Sequence, residues 1–275
     1  ARDAIQARLQ DPDRAEESIT VLILPGNWRM TETLQFGADD SGSADAPVIW
    51  RGADSGEVCI AGGVRLSGFE PVTGPPRQRL TDSARDKVVQ VDLKKLGVTD
   101  FGNPTPKGNG PMAQLVFNSQ FLPLARYPND GDWLTISSIP EGEKKYEKPR
   151  GTHWGRFAYD SQRPQRWTDI DDLWVHGYWV HDWRDEYHLV EKLDAEAGIV
   201  WPKPPYHHYG YLRGQRFYFL NVLEELDSPG EWYLDRDTGM LYLWPPGPLQ
   251  DAEVFFPQHR DTMIRLDGAS HLHIQ

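Results

Sequence analysis

Short apolar runs separated by turn residues set the pattern of this chain. Ala4, Ile5, Ala7 and Leu9 fall at helical spacing before Asp11-Pro12-Asp13 interrupts them, which predicts a short N-terminal helix. The period then changes to that of strands. Residues 19–24, 32–36, 47–51 and 57–61 are brief apolar runs, parted by Pro25-Gly26-Asn27, by the polar stretch 37–46 and by 52–56. Such spacing fits a solenoid in which each coil adds two or three short strands and stacks on its neighbour. An ordinary sandwich fits the same run lengths equally.

Residues 64–93 carry VRLSGFEPV, a proline-rich loop and a strand at 88–93, and 97–111 reads as a linker rich in Gly, Asn and Pro. Beyond it the texture changes. Of eleven tryptophans only Trp28 and Trp50 come earlier, so the next segment is a separate, aromatic-rich module. Runs at 114–117 and 120–124 flank Asn118-Ser119, a two-residue hairpin turn. Residues 141–148 form a charged, exposed loop, and further strands are expected at 172–187, 189–193 and 198–201. The clearest hairpin joins 231–234 to 240–244 through Asp235-Arg236-Asp237-Thr238-Gly239, whose glycine can take positive φ. Pro245-Pro246 ends it by removing two backbone donors. From 252 onward the short-strand rhythm resumes at 254–256, 263–266 and 271–274, with Asp267-Gly268 as a turn. The expected organisation is all-β: 1–112 as N-terminal cap and first coils, 113–247 as an inserted antiparallel β-sandwich, and 248–275 as resumed coils.

Composition narrows the partners. At 275 residues and 39% hydrophobic the chain can bury an ample core. A net charge of −12 disfavours nucleic acid and anionic membranes, because both are held by displacing counterions with Lys and Arg. Cys59 is the sole cysteine and is expected to pack as a small apolar residue. No apolar run reaches the length of a bilayer and no secretory segment opens the chain. Because Ala1-Arg2-Asp3 does not look like a natural start and Gln275 falls within a strand, a piece of a longer protein is expected. There is no HExxH, CxxC pair, Walker loop, EF-hand loop or G-x-S-x-G elbow, and no cofactor or metal is indicated.

The richest chemistry lies at 174–188, WVHGYWVHDWRDEYH. As an extended strand it would send Trp174, His176, Tyr178, Val180 and Asp182 to one face and Val175, Gly177, Trp179, His181 and Trp183 to the other. Sugar recognition uses flat aromatic faces with carboxylates, Arg or His beside them, and this run has both. The alternative is that its rings are simply core. Trp179, His181, Asp182, Trp183 and Tyr209 are the candidate substrate contacts. Glycoside hydrolysis needs two carboxyl groups astride the scissile bond; Asp182, Asp185 and Glu186 could furnish them, or could be a solvated loop end. A lyase would need a base such as His181, Tyr187 or Arg184. Tyr206-His207-His208-Tyr209 reads as an exposed aromatic loop rather than a metal site. Asp39-Asp40-Ser41-Gly42 reads as a coil turn, and His271 and His273 as a solvated strand face.

PGNWRMTETLQF, DDSGSADAPVIWRG and IAGGVRLSGF resemble the opening of bacterial right-handed parallel β-helix proteins related to glycoside hydrolase family 141. QLVFNSQFLPLARYPN, LWVHGYWVHDWRDEY and GEWYLDRDTGMLYLWPP resemble segments of the β-sandwich insertion domain that interrupts their early coils. The resemblance implies secretion to the periplasm or exterior and action on an oligosaccharide or polysaccharide of plant or microbial origin. It also implies a catalytic groove on later coils, so no catalytic residue is assigned within these 275 positions. Three functions remain open: part of a glycoside hydrolase, a non-catalytic glycan-binding or structural module, and a polysaccharide lyase. Oligomeric state is not legible.

Overall fold

The computed structural model describes residues 1–13, 16–102, 113–140, 151 and 155–275. Most of the linker read at 97–111 and all of the charged loop read at 141–148 lie outside the described residues. The chain divides into two compact units, Ala1–Val64 with Pro257–Gln275, and Arg65–Phe256.

Among the described residues the first unit is built on four parallel strand pairings. Ile19–Ile23 pairs with Val48–Gly52, which also pairs with Leu272–Ile274; Gly26–Arg29 pairs with Val58–Ala61, and Leu34–Phe36 with Ile264–Leu266. Alternation along Ile19–Ile23 turns Ile19, Val21 and Ile23 toward a core of Ile5, Phe36, Val48 and Trp50, and leaves Leu22 exposed. Phe36 meets Trp50 edge-on at 5.2 Å. The helix Arg2–Leu9 is fastened by Asp40, buried at the end of a 3₁₀ turn. Asp40 accepts hydrogen bonds from Arg2 Nε at 3.0 Å, Gln6 Nε2 at 2.8 Å and the Gly37 amide at 2.7 Å. Burial alone would raise its pKa, but these donors hold the carboxyl below the usual carboxylate range. The strand Gly26–Arg29 was not expected, since Pro25-Gly26-Asn27 reads as a break. All four of its residues are exposed, so it has no apolar alternation and is held by its backbone ladder to Val58–Ala61.

The second unit corrects the expected sandwich. Leu134–Ser138, Phe157–Tyr159, Ile199–Pro202, Glu186–Asp194, Trp174–Gly177 and Arg216–Leu220 pair antiparallel in that order. Arg216–Leu220 then pairs back to Leu134–Ser138, so six strands close into a barrel. Closure removes the two edges that a sandwich sheet would leave. Phe157, Trp179, Tyr211, Phe217 and Phe219 fill the interior. Gly177 lets two strands approach, because a Cβ there would come within 2.6 Å of the Phe217 Cβ. The expected hairpin is present as Trp232–Asp235 and Met240–Leu243, with Gly239 at φ +82°, and it recruits Val89–Asp92 as a third strand.

The hairpin Leu115–Phe117 to Gln120–Leu122 turns at Asn118 and Ser119 with φ of 45° and 65°, both in the left-handed region. That conformation costs an L residue roughly 1–2 kcal/mol, against about 0.5–1 kcal/mol for the extra chain entropy of glycine. Ser119→Gly is therefore expected to stabilise the protein by about 0.5–1 kcal/mol. A higher urea midpoint with an unchanged slope checks it.

Candidate functional site

The run at 174–188 is not one strand. It pairs as Trp174–Gly177, turns over 178–185, and returns as Glu186–Asp194. Trp179 falls inward, 0% exposed, with its indole N–H donated to the Glu186 carbonyl at 3.0 Å. This corrects its candidacy as a ligand contact: Trp179 is core.

Three of the other four candidates gather at one rim of the barrel. His181 stacks on Trp183 at 5.2 Å and 14°, and Tyr209 meets both edge-on at 4.9 and 6.1 Å. Trp183 is 70% exposed. Asp182 turns the other way and accepts from Arg216 Nη1 at 2.7 Å. Beneath the rim, Glu186 is buried, and its Oε1 accepts from Arg184 at 2.9 and 3.2 Å. Its Oε2 lies 3.7 Å from His188 Nε2 and 3.9 Å from His207 Nε2. His207 is buried, so the loop 206–209 is only partly the exposed aromatic loop expected. Burial pushes the His188 pKa down to about 3 and the His207 pKa down to about 4, so both rings are neutral at pH 7.

The opposite face of the same strands is a second aromatic surface, most of which the sequence reading missed. His176 is the cross-strand neighbour of both Tyr187 and Tyr218, with ring centroids at 4.2 and 5.0 Å. Trp133 extends the row, 5.1 Å from Tyr218 and 5.8 Å from Tyr178. Alternation could have exposed this set, but Phe217-Tyr218-Phe219 is aromatic on both faces and hides it.

The candidate catalytic carboxylates are dispersed. Asp182 is taken by Arg216, Asp185 by His176 Nε2 at 2.8 Å, and Glu186 by Arg184. The bases considered for elimination fare no better. Burial raises the Tyr187 pKa, which keeps its hydroxyl a proton donor at neutral pH. Among the described residues no group of three or more His, Cys, Asp or Glu is placed to hold a metal, and no helix is long and apolar enough to cross a membrane.

Residues 191–246 match the GH141 insertion domain. That segment holds the last barrel strands and the closing hairpin, including Arg216, Tyr218 and Tyr209 of the two surfaces. A solved structure titled "Glycoside hydrolase" superposes on 99% of this chain with a TM-score of 0.68 at 20% identity. The match covers 46% of that chain, so the present sequence spans about half the length of its structural neighbour. No curated protein matches. The fold is thus shared with a glycoside hydrolase, and the insertion domain is GH141-like.

Burial separates the tryptophans in a measurable way. Trp179→Ala is expected to destabilise the protein by about 3–5 kcal/mol, and Trp183→Ala to stay within about 0.5 kcal/mol of the parent. Equilibrium urea denaturation reads both. The neutral histidines predict a pH dependence. Their folded pKa values lie below the ordinary value of 6.5, so the unfolded chain takes up protons first as pH falls. Their contribution is complete above about pH 6.5 and is lost progressively as pH falls through about 4 for His207 and about 3 for His188. The thermal midpoint should fall across that window, and less steeply in His207→Gln; equal slopes would contradict the assignment.

Proposed function

We propose that this protein is the N-terminal part of a longer, secreted carbohydrate-active protein of glycoside hydrolase type. In this reading the parallel strands of the first unit begin a right-handed β-helix, and catalysis belongs to later coils. The observation that carries it is the likeness in fold to a glycoside hydrolase across 99% of the chain, joined to the GH141 insertion-domain match at 191–246. The three parallel sheets, in which Val48–Gly52 is sandwiched between Ile19–Ile23 and Leu272–Ile274, support the β-helix.

The barrel would contact the glycan through its rim. Trp183 offers an open ring face, and His181 and Tyr209 brace it. The dispersal of Asp182, Asp185 and Glu186 onto separate partners, two arginines and a neutral histidine, favours binding over bond cleavage within this unit, which is the non-catalytic alternative for the barrel itself.

Incubated with plant cell-wall oligosaccharides, the 275-residue protein is expected to show a saturable change in tryptophan emission that Trp183→Phe removes, and to release no reducing sugar. No emission change with any sugar would retire the rim contact. Sugar release abolished by Asp182→Ala would instead place the chemistry in the barrel.

A further inference from the structure

We infer that the outer wall of the barrel, formed by Trp133, Tyr178, Tyr218, Tyr187, Arg126 and Arg216, is a binding site for a neutral, extended oligosaccharide. The inference rests on the carbohydrate reading above but concerns a different surface.

The wall is built where a closed barrel has no need of large rings. Strand alternation sends Phe217 and Phe219 inward, where they are fully buried, and turns Arg216 and Tyr218 outward. A barrel filled from within is stable with polar residues at the outward positions, yet here aromatic rings form a continuous, partly exposed row. Trp133 is 37% exposed and lies 5.1 Å from Tyr218 and 5.8 Å from Tyr178. Contiguous aromatic surface left open to solvent is the mark of an interaction site.

The row runs into a cavity of about 480 Å³ whose lining includes Arg126, Asp130, Tyr187, Tyr218, Phe121 and Trp232. Phe121, one of its lining residues, is 68% exposed. A concave site that sets polar groups beside apolar and aromatic side chains is the usual form of a small-molecule site. The hydroxyls of Tyr187 and Tyr218 are hydrogen-bonded to each other, and burial raises the pKa of both, so they remain protonated donors.

Charge chooses the ligand class. Arg126 is buried against the Tyr218 ring at 3.4 Å, and its donors already serve the Pro128 and Asp132 carbonyls and the Asp130 carboxylate. Arg216 lies 4.1 Å from the Tyr178 ring and 5.4 Å from that of Trp133, and donates to Asp182. His176, held neutral by burial, is committed to Asp185. Each cation thus has an acceptor, and a ligand carboxylate or sulfate would add unpaired negative charge to a chain of net −12. A neutral sugar meets no such penalty. Its hydroxyls find acceptors in Asp182, Asp185 and Asp130 and donors in the tyrosine hydroxyls, while its C–H faces lie on the rings. The Asp182–Arg216 pair ties this wall to the turn that carries Trp183.

Isothermal titration of the 275-residue protein with cellohexaose, xylohexaose and mannohexaose, and with hexagalacturonate as the charged counterpart, tests this. At least one neutral hexasaccharide should bind, its trisaccharide more weakly, and hexagalacturonate not at all. Trp133→Ala and Tyr178→Ala, each verified as folded by circular dichroism, should weaken the neutral hexasaccharide roughly tenfold or more. Affinity unchanged in both variants overturns the wall site. If Trp183→Ala alone abolishes binding, the wall fails and the rim contact stands. Preference for hexagalacturonate overturns the neutral class, and absence of heat with every probe overturns wall and rim together.

Discussion

Closure of the barrel by Arg216–Leu220 is the constraint on which the rest of the second unit depends. This one strand pairs with Trp174–Gly177 along one edge, and with Leu134–Ser138 and Arg126–Tyr127 along the other. Its inward residues, Phe217 and Phe219, pack edge-on against Phe157, Tyr159 and Trp167. Its outward residues, Arg216 and Tyr218, stand in the aromatic wall. Packing and binding are therefore coupled through a single register: slipping it by one residue would carry Arg216 into the core and Phe217 onto the surface.

Buried charge holds the segments around this barrel in place. Glu225, fully buried, accepts from Arg163 and Arg166 and from the Trp167 indole at 2.6 Å, and its neighbour Glu224 accepts from Arg79 and Thr168. Burial would raise the Glu224 pKa, yet Arg79 and Thr168 bring it below the ordinary value. Removing one partner of such a group leaves a desolvated charge uncompensated, which is why these contacts fix a conformation more than they add net stability. The rim differs in kind. His188 and His207 lie near Glu186 but each keeps a buried nitrogen without a hydrogen-bond partner, so acid reaches this end of the barrel as a destabilising influence.

In the first unit, residues far apart in sequence are neighbours in one sheet. Val48 is in register with Leu272, and Leu34 with Ile264, although the whole second unit lies between them in the chain. The cost of closing such a loop grows only with the logarithm of its length, so an independently packed insertion is tolerated where a long disordered one would be wasteful. Asp40 contributes at the other end, drawing Arg2 and Gln6 of the helix onto the first strands.

The sequence by itself determined the local elements. The hairpin around Gly239, the turn at Asn118-Ser119, the short strands of the first unit other than Gly26–Arg29 and the likeness to a GH141 insertion domain were legible, because turn chemistry and alternation act over a few residues. Of the candidate contacts, His181, Trp183 and Tyr209 do meet at one rim, but Trp179, of the same residue type and the same strand run as Trp183, is core. Composition cannot separate them, since an indole serves equally as filler or as platform. Only the tertiary structure decided that six strands close into a barrel, that Trp133, Tyr178, Tyr187 and Tyr218 form one surface, and that Asp182, Asp185 and Glu186 answer to three different partners, Arg216, His176 and Arg184. Those facts depend on which strand edges pair across the chain, and pairing is set by packing between distant segments, not by the pattern within any one of them.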